Sequence, residues 1–159
     1  NVICFAGDGS IQMNIQELQT IASKNLNIKI FVINNDGYLS IKSTHENFFG
    51  KVFGAHPESG VDFPDFCKIA KAYGIQSYRL NSSKKLESIA DILSTYGPVV
   101  IELVIDIKQE FFPKLKSRMG DDGKFITPDL DDMFPFLSQE VLQKIRMSAE
   151  CLTTGDAKL

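Results

Sequence analysis

The sequence predicts an α/β domain on an open parallel sheet with helices on both faces, followed by an extended C-terminal tail and a short helix. Three observations carry this. Strand-like runs recur at Val2–Ala6, Ile28–Ile33, Gln76–Leu80 and Val99–Ile105. Segments with apolar residues at helical spacing separate them, bounded by glycine, proline or capping residues. The first, second and last runs are continuously apolar rather than alternating, as strands covered on both faces are.

Each element has its own signal. Val2–Ala6 is apolar and partly β-branched, and it ends at Gly7. The chain opens inside this run, so an upstream part of the domain is expected before Asn1. No charged segment precedes an apolar one, so no signal peptide is predicted. Gly7-Asp8-Gly9-Ser10 is too rich in glycine to continue a strand and reads as a loop. Asn14-Ile15-Gln16-Glu17 has the pattern of a capping box, and Ile15, Leu18 and Ala22 place a helix from there to about Lys24 or Asn25. Ile28–Ile33 is apolar apart from Lys29 and stops at Asn34-Asn35-Asp36-Gly37. Strand, helix and strand at this spacing form a right-handed βαβ unit.

Tyr38–Gly60 has no sustained period and reads as a long loop, the kind that is functional or mobile. Asp62 and Pro64 open a helix with Phe66, Ile69, Ala70 and Tyr73 inward and Gly74 as its stop. Ser82 or Ser83 caps another, with Leu86, Ile89, Ala90 and Leu93 on one face, which Gly97-Pro98 breaks. From Lys108 to Pro135, proline, glycine and acidic residues are interspersed with Phe111, Phe112, Phe125 and Phe134. This reads as an extended tail whose rings dock on a neighbouring surface. Ser138 caps a final helix to about Met147, and Thr153–Leu159 is expected to fray. The division is therefore an α/β domain over residues 1–107 and a tail with its helix over 108–159.

Composition excludes several classes. Hydrophobic residues at 43% and charged residues at 23% suit a folded core. Seventeen Lys plus Arg against 20 Asp plus Glu give a net charge of −3, with no electrostatic footprint for nucleic acid or an anionic membrane. No apolar stretch reaches membrane-span length; the richest, Val99–Ile105, is interrupted by Glu102. Cys4, Cys67 and Cys151 are far apart and free of CxxC spacing, so neither a disulfide framework nor a zinc ribbon is expected, and a cytoplasmic location follows. His45 and His56 are too few for a histidine-rich metal site.

Ligands of open parallel sheets bind at the carboxyl ends of strands. Gly7–Ser10 and Asn34–Gly37 end consecutive strands and can share that edge. Gly9 and Ser10 offer backbone N–H groups to an anion. Asp8 supplies a carboxylate oxygen, Asn35 an amide oxygen, and Gly37 a backbone carbonyl. Three such oxygens, with phosphate and water, complete an octahedron of the Mg²⁺ kind. Other motifs fit less well: the sixth position of a dinucleotide fingerprint is Gln12, no P-loop lysine follows, and the bidentate position of a calcium loop falls on Gln19. The plain alternatives are a tight turn at Gly7–Ser10 and a type I′ hairpin turn at Asn34–Gly37. The hairpin needs a second strand, and none follows Gly37.

Gly7-Asp8-Gly9-Ser10 followed by Asn34-Asn35, with Asn35 lying 27 positions after Asp8 (35 − 8), resembles the diphosphate-binding motif of thiamine diphosphate enzymes. Gln16–Thr20, Phe63-Pro64-Asp65-Phe66 with Ala70–Gly74, and Gly97–Glu102 are similar to the acetolactate synthase branch. The resemblance covers residues 1–107, and the tail resembles such proteins more loosely. It implies a thiamine diphosphate-binding fold, with Asp8, Asn35 and Gly37 as Mg²⁺ ligands. Gly7, Gly9 and Ser10 would lie at the diphosphate, and Tyr38 and Ile41 beside the thiazolium ring. It further implies a small 2-oxo acid substrate, a homodimer or homotetramer, and an activating glutamate on the pyrimidine-binding domain of a partner subunit. This chain holds no counterpart of that glutamate, so no catalytic residue is expected here and the chain alone is expected to be inactive.

The expected function is thus the C-terminal cofactor-binding domain of a thiamine diphosphate-dependent 2-oxo acid carboligase or decarboxylase. A non-catalytic thiamine diphosphate-binding module, a degenerate paralogue, and an unrelated nucleotide-binding domain remain alternatives. Other residues carry a functional and a plain reading side by side. His45 is a substrate contact or a loop histidine, and Lys42 a pocket cation or a surface lysine. Asp129, Asp131 and Asp132 are a second metal site or a solvated turn. Cys4 is expected in the core, and Cys67 beside the inward Phe66 without activation.

Overall fold

The computed structural model describes residues 2–109, 111–120 and 122–154, with side chains to residue 149. The chain divides into two compact units, Asn1–Gln109 and Glu110–Leu159.

The first unit is built on four strands: β1 (Val2–Gly7), β2 (Ile28–Asn34), β3 (Gln76–Leu80) and β4 (Val99–Val104). Their order across the sheet is β1-β2-β4-β3, and every pairing is parallel. Alternate residues of each strand face opposite layers. Ile30, Val32 and Val100 pack on one face against Leu18 of helix α2 (Glu17–Ser23) and against Phe66, Ala70 and Ile75, the first two in helix α4 (Phe66–Ala72). Phe31, Val99, Ile101 and Leu80 pack on the other face against Ile92 of helix α5 (Ile89–Ser94). This is the predicted open parallel α/β sheet with helices on both faces.

Several local expectations are corrected. Val2–Ala6 is not covered on both faces: β1 is an edge strand, and Val2, Ile3 and Phe5 are exposed. Cys4 is exposed with them rather than in the core. The Gly7–Ser10 segment is not a loop, because β1 runs straight into a short helix, α1 (Asp8–Gln12). The next helix begins at Glu17, with no side-chain cap from Gln16, so the capping box at Asn14 does not form. Tyr38–Gly60 contains helix α3 (Leu39–Phe48) and a 3₁₀ turn at Pro57–Ser59. None of the α3 residues is fully buried, so its sequence has no apolar stripe to read. Asp65, not Asp62, caps α4, accepting the Lys68 N–H at 2.9 Å. The Ser83–Ser88 segment is 3₁₀ and passes into α5.

The second unit is not simply an extended tail. Strands β5 (Arg118–Met119) and β6 (Phe125–Ile126) form an antiparallel pair, and Lys114 bridges Phe134. Its rings pack on one another, Phe134 lying 5.7 Å from Phe112 and 5.6 Å from Phe136 between centroids. Ser138 caps the last helix, α6 (Gln139–Thr154), through its Oγ and the Val141 N–H. The helix outruns the expected end at Met147 and includes Thr153 and Thr154; the expected fraying of residues 155–159 lies outside the described residues. Among the described residues no helix is long and apolar enough to cross a membrane.

Candidate functional site

β1 and β2 are parallel neighbours, so the segments that follow them emerge at one sheet edge. There the Gly37 N–H donates to Asp8 Oδ2 at 2.9 Å and the Gly9 N–H to Asp8 Oδ1 at 2.7 Å. The Asp8 carboxyl is 2% exposed. Burial pushes its pKa up, while the backbone N–H groups of Gly37, Gly9, Asn35 and Asp36 act in the opposite sense. Among the described residues no basic side chain forms an ion pair with it. A buried carboxylate with no ion-pair partner among the described residues, next to the half-buried Asn35, is a donor set suited to a hard divalent cation.

Close packing fixes the two segments. A Cβ on Gly37 would lie well inside van der Waals contact of the Ala55 carbonyl oxygen, which accepts the Tyr38 N–H at 2.7 Å. A Cβ on Gly9 would run into the Tyr38 ring. That ring stands edge-on to Phe63, 5.4 Å between centroids. Ala55 is fully buried, so the segment between α3 and α4 closes over the Asn34–Gly37 turn. Lys42 and His56 line a small cleft with Asn35 and Gly37. Gly7 is half-buried, whereas Ser10 and Ile41 are exposed.

Other singled-out residues are accounted for by ordinary structure. His45 Nδ1 accepts the Phe53 N–H at 3.3 Å and its ring meets Phe49, so it shapes its own turn. Arg146 joins both Asp131 oxygens, at 2.7 and 2.8 Å, and Asp129 at 3.1 Å, which makes that acidic stretch an ion-pair cluster. Asp132 is buried and faces Arg118 at 3.4 Å. Burial pushes the Cys67 thiol up, away from reactivity.

One cluster had not been read from the sequence as functional. Glu102, 1% exposed, accepts from Arg79 Nε at 2.7 Å and from Asn34 Nδ2 at 2.7 Å, with the Cys67 thiol at 3.5 Å. Arg79 also reaches Asp65 at 2.8 Å. Asp65, Cys67 and Glu102 could converge on a metal, but Arg79 already joins both carboxylates. An open cleft of about 460 Å³ borders the cluster. The available signal was the lone charge inside the most apolar strand.

Sequence and structure comparisons bear on the family and the fold. The family described as thiamine pyrophosphate enzyme, C-terminal TPP binding domain, matches residues 1–103. The chain belongs to that family. It is 39% identical over 115 residues to the acetolactate synthase large subunit of Cyanidium caldarium, covering 72% of this chain and 20% of that protein. It is 33% identical over 123 residues to acetolactate synthase 1, chloroplastic, of Zea mays, covering 73% of this chain and 19% of that protein. Benzoylformate decarboxylase from Polynucleobacter necessarius superimposes with a TM-score of 0.59 at 26% identity, over 69% of this chain and 20% of that one. The chain thus spans about one fifth of the length of these relatives.

Proposed function

We propose that this domain anchors the diphosphate of thiamine diphosphate through Mg²⁺ in a 2-oxo acid carboligase or decarboxylase of the acetolactate synthase kind. The observation that carries the reading is the buried Asp8 carboxylate, held by Gly37 from the neighbouring turn and without an ion-pair partner among the described residues. Asp8, the Asn35 amide and the Gly37 carbonyl would hold the metal. Ser10 would turn its N–H to the terminal phosphate, with Gly7 giving the entry to that segment; the Gly9 N–H is taken up by Asp8 Oδ1 and would have to leave it to reach the phosphate. Tyr38 and Ile41 would border the cofactor ring, and Lys42 and His56 the neighbouring cleft.

Bound thiamine diphosphate supplies the carbanion chemistry by which a 2-oxo acid loses CO₂. This chain's residues bind, orient and shield. The acid–base glutamate for the aminopyrimidine would come from the pyrimidine-binding domain of a partner subunit, in a homodimer or homotetramer. By this reading the chain alone turns nothing over. The proposed compartment is a reducing one, cytoplasm or plastid, with Cys4 and Cys67 as free thiols.

Thermal denaturation of the intact protein with thiamine diphosphate and pyruvate tests this. A rise in Tm that requires Mg²⁺, together with CO₂ release, is expected. A rise without CO₂ release would leave a binding module only, and no rise would contradict the cofactor assignment.

A further inference from the structure

Glu102 is the lone carboxylate at an interior position of β4, and it shares a sheet face with Val32 and Asn34. Burying a carboxylate is costly unless it is hydrogen-bonded, and its two oxygens are served by Arg79 and Asn34. The Asn34 contact fixes more than Glu102. A carboxylate can only accept, so the Nδ2 end of the Asn34 amide must face it. The Oδ1 end must then face the other way, where it accepts the Asp36 N–H at 3.0 Å. That bond closes the turn in which Asp36 adopts a left-handed φ of 57° and Gly37 reaches Asp8. With the amide reversed, an NH₂ group would oppose the Asp36 N–H and the turn would lose its closing bond.

We propose that Glu102 is a positioning residue for the metal-binding turn. By accepting from Asn34 Nδ2 it fixes the polarity of the Asn34 amide, and through the Asp36 N–H it sets where Asn35 and Gly37 stand relative to Asp8. Arg79, braced on Asp65, holds the carboxylate in place. This rests on reading Asp8, Asn35 and Gly37 as the Mg²⁺ site.

Substitution in the intact protein, read by calorimetry of thiamine diphosphate binding against Mg²⁺ concentration, tests it. In Glu102→Gln the single remaining acceptor goes to the Arg79 guanidinium, the NH₂ end faces Asn34, and the Asn34 amide must reverse. The half-saturating Mg²⁺ concentration should rise roughly 10- to 100-fold, the range for partners that orient metal ligands. Combining it with Asn34→Asp returns an acceptor to the Asp36 N–H and should restore most of the lost affinity. A packing role alone would not be rescued this way. Should Glu102→Gln not fold, Asn34→Ala, which keeps the Glu102–Arg79 pair, should show the same weakening. Near-normal Mg²⁺ dependence in the folded variant, or no rescue in the double variant, would overturn the inference. Asp8→Ala measured alongside separates the two levels: if it too leaves Mg²⁺ dependence unchanged, the metal site itself is wrong.

Discussion

The Gly37 amide donates to Asp8 Oδ2 at 2.9 Å across 29 positions of sequence. That bond joins the ends of two parallel strands at the sheet edge where the chemistry is expected, and several consequences can be measured.

Gly37→Ala places a methyl group against the Ala55 carbonyl, which the Tyr38 N–H holds in position. Backbone on both sides leaves little room to yield, so the variant should lose about 1–3 kcal/mol of stability. Cofactor affinity should fall with it. Unchanged Tm and affinity would show that the segment around Ala55 does not brace the turn.

Lys29 is fully buried at the amino ends of the strands, opposite the Asp8 edge. Its Nζ donates to Asn27 Oδ1 at 2.8 Å and to the carbonyls of Thr95 and Gly97 at 2.6 Å each. Lys29→Met keeps the length and takes the Nζ donor from the Thr95 and Gly97 carbonyls, each buried acceptor left unpaired costing about 1–3 kcal/mol, while Asn27 Oδ1 keeps the Gly97 N–H. Denaturant unfolding should show that loss. The Mg²⁺ dependence of cofactor binding in the folded fraction should not move.

The Lys68 N–H and then the Arg79 guanidinium hold the Asp65 carboxyl below its ordinary value of 3.8. A carboxyl that is more acidic folded than unfolded adds stability above the unfolded value and loses it as pH falls through the folded one. Asparagine caps a helix about as well as aspartate, so Asp65→Asn isolates the charge. The pair with Arg79 is partly exposed and should contribute below about 1 kcal/mol. The stability difference between wild type and Asp65→Asn should stay constant near neutrality and shrink below pH 3.8. A difference that grows on acidification would reverse the sign.

The strands were legible because burial on both faces writes continuous apolar runs, as in Ile28–Ile33 and Val99–Ile105. The two sequence segments of the candidate site were legible from Gly7–Ser10 and Asn34–Gly37, and the sheet puts them on one edge. Helix α3 was not, because no side chain from Leu39 to Phe48 is buried enough to leave a period. Gly9 misled: with Gly7 it makes the segment read as a loop, but it lies inside α1 and leaves room for the Tyr38 ring, a contact between segments far apart in sequence. Lys29 and Glu102 were visible only as interruptions of apolar strands. Their roles depend on Thr95, Gly97, Arg79 and Asn34, whose proximity is set by strand order.

The most direct test of the cofactor assignment is calorimetric titration of thiamine diphosphate into the intact protein, wild type and Asp8→Ala, with and without Mg²⁺. A methyl group cannot replace a carboxylate facing a dication and two phosphates. Wild type should bind only when Mg²⁺ is present, and Asp8→Ala should show no measurable Mg²⁺-dependent binding while remaining folded. Wild-type affinity in the Asp8→Ala protein would contradict the account.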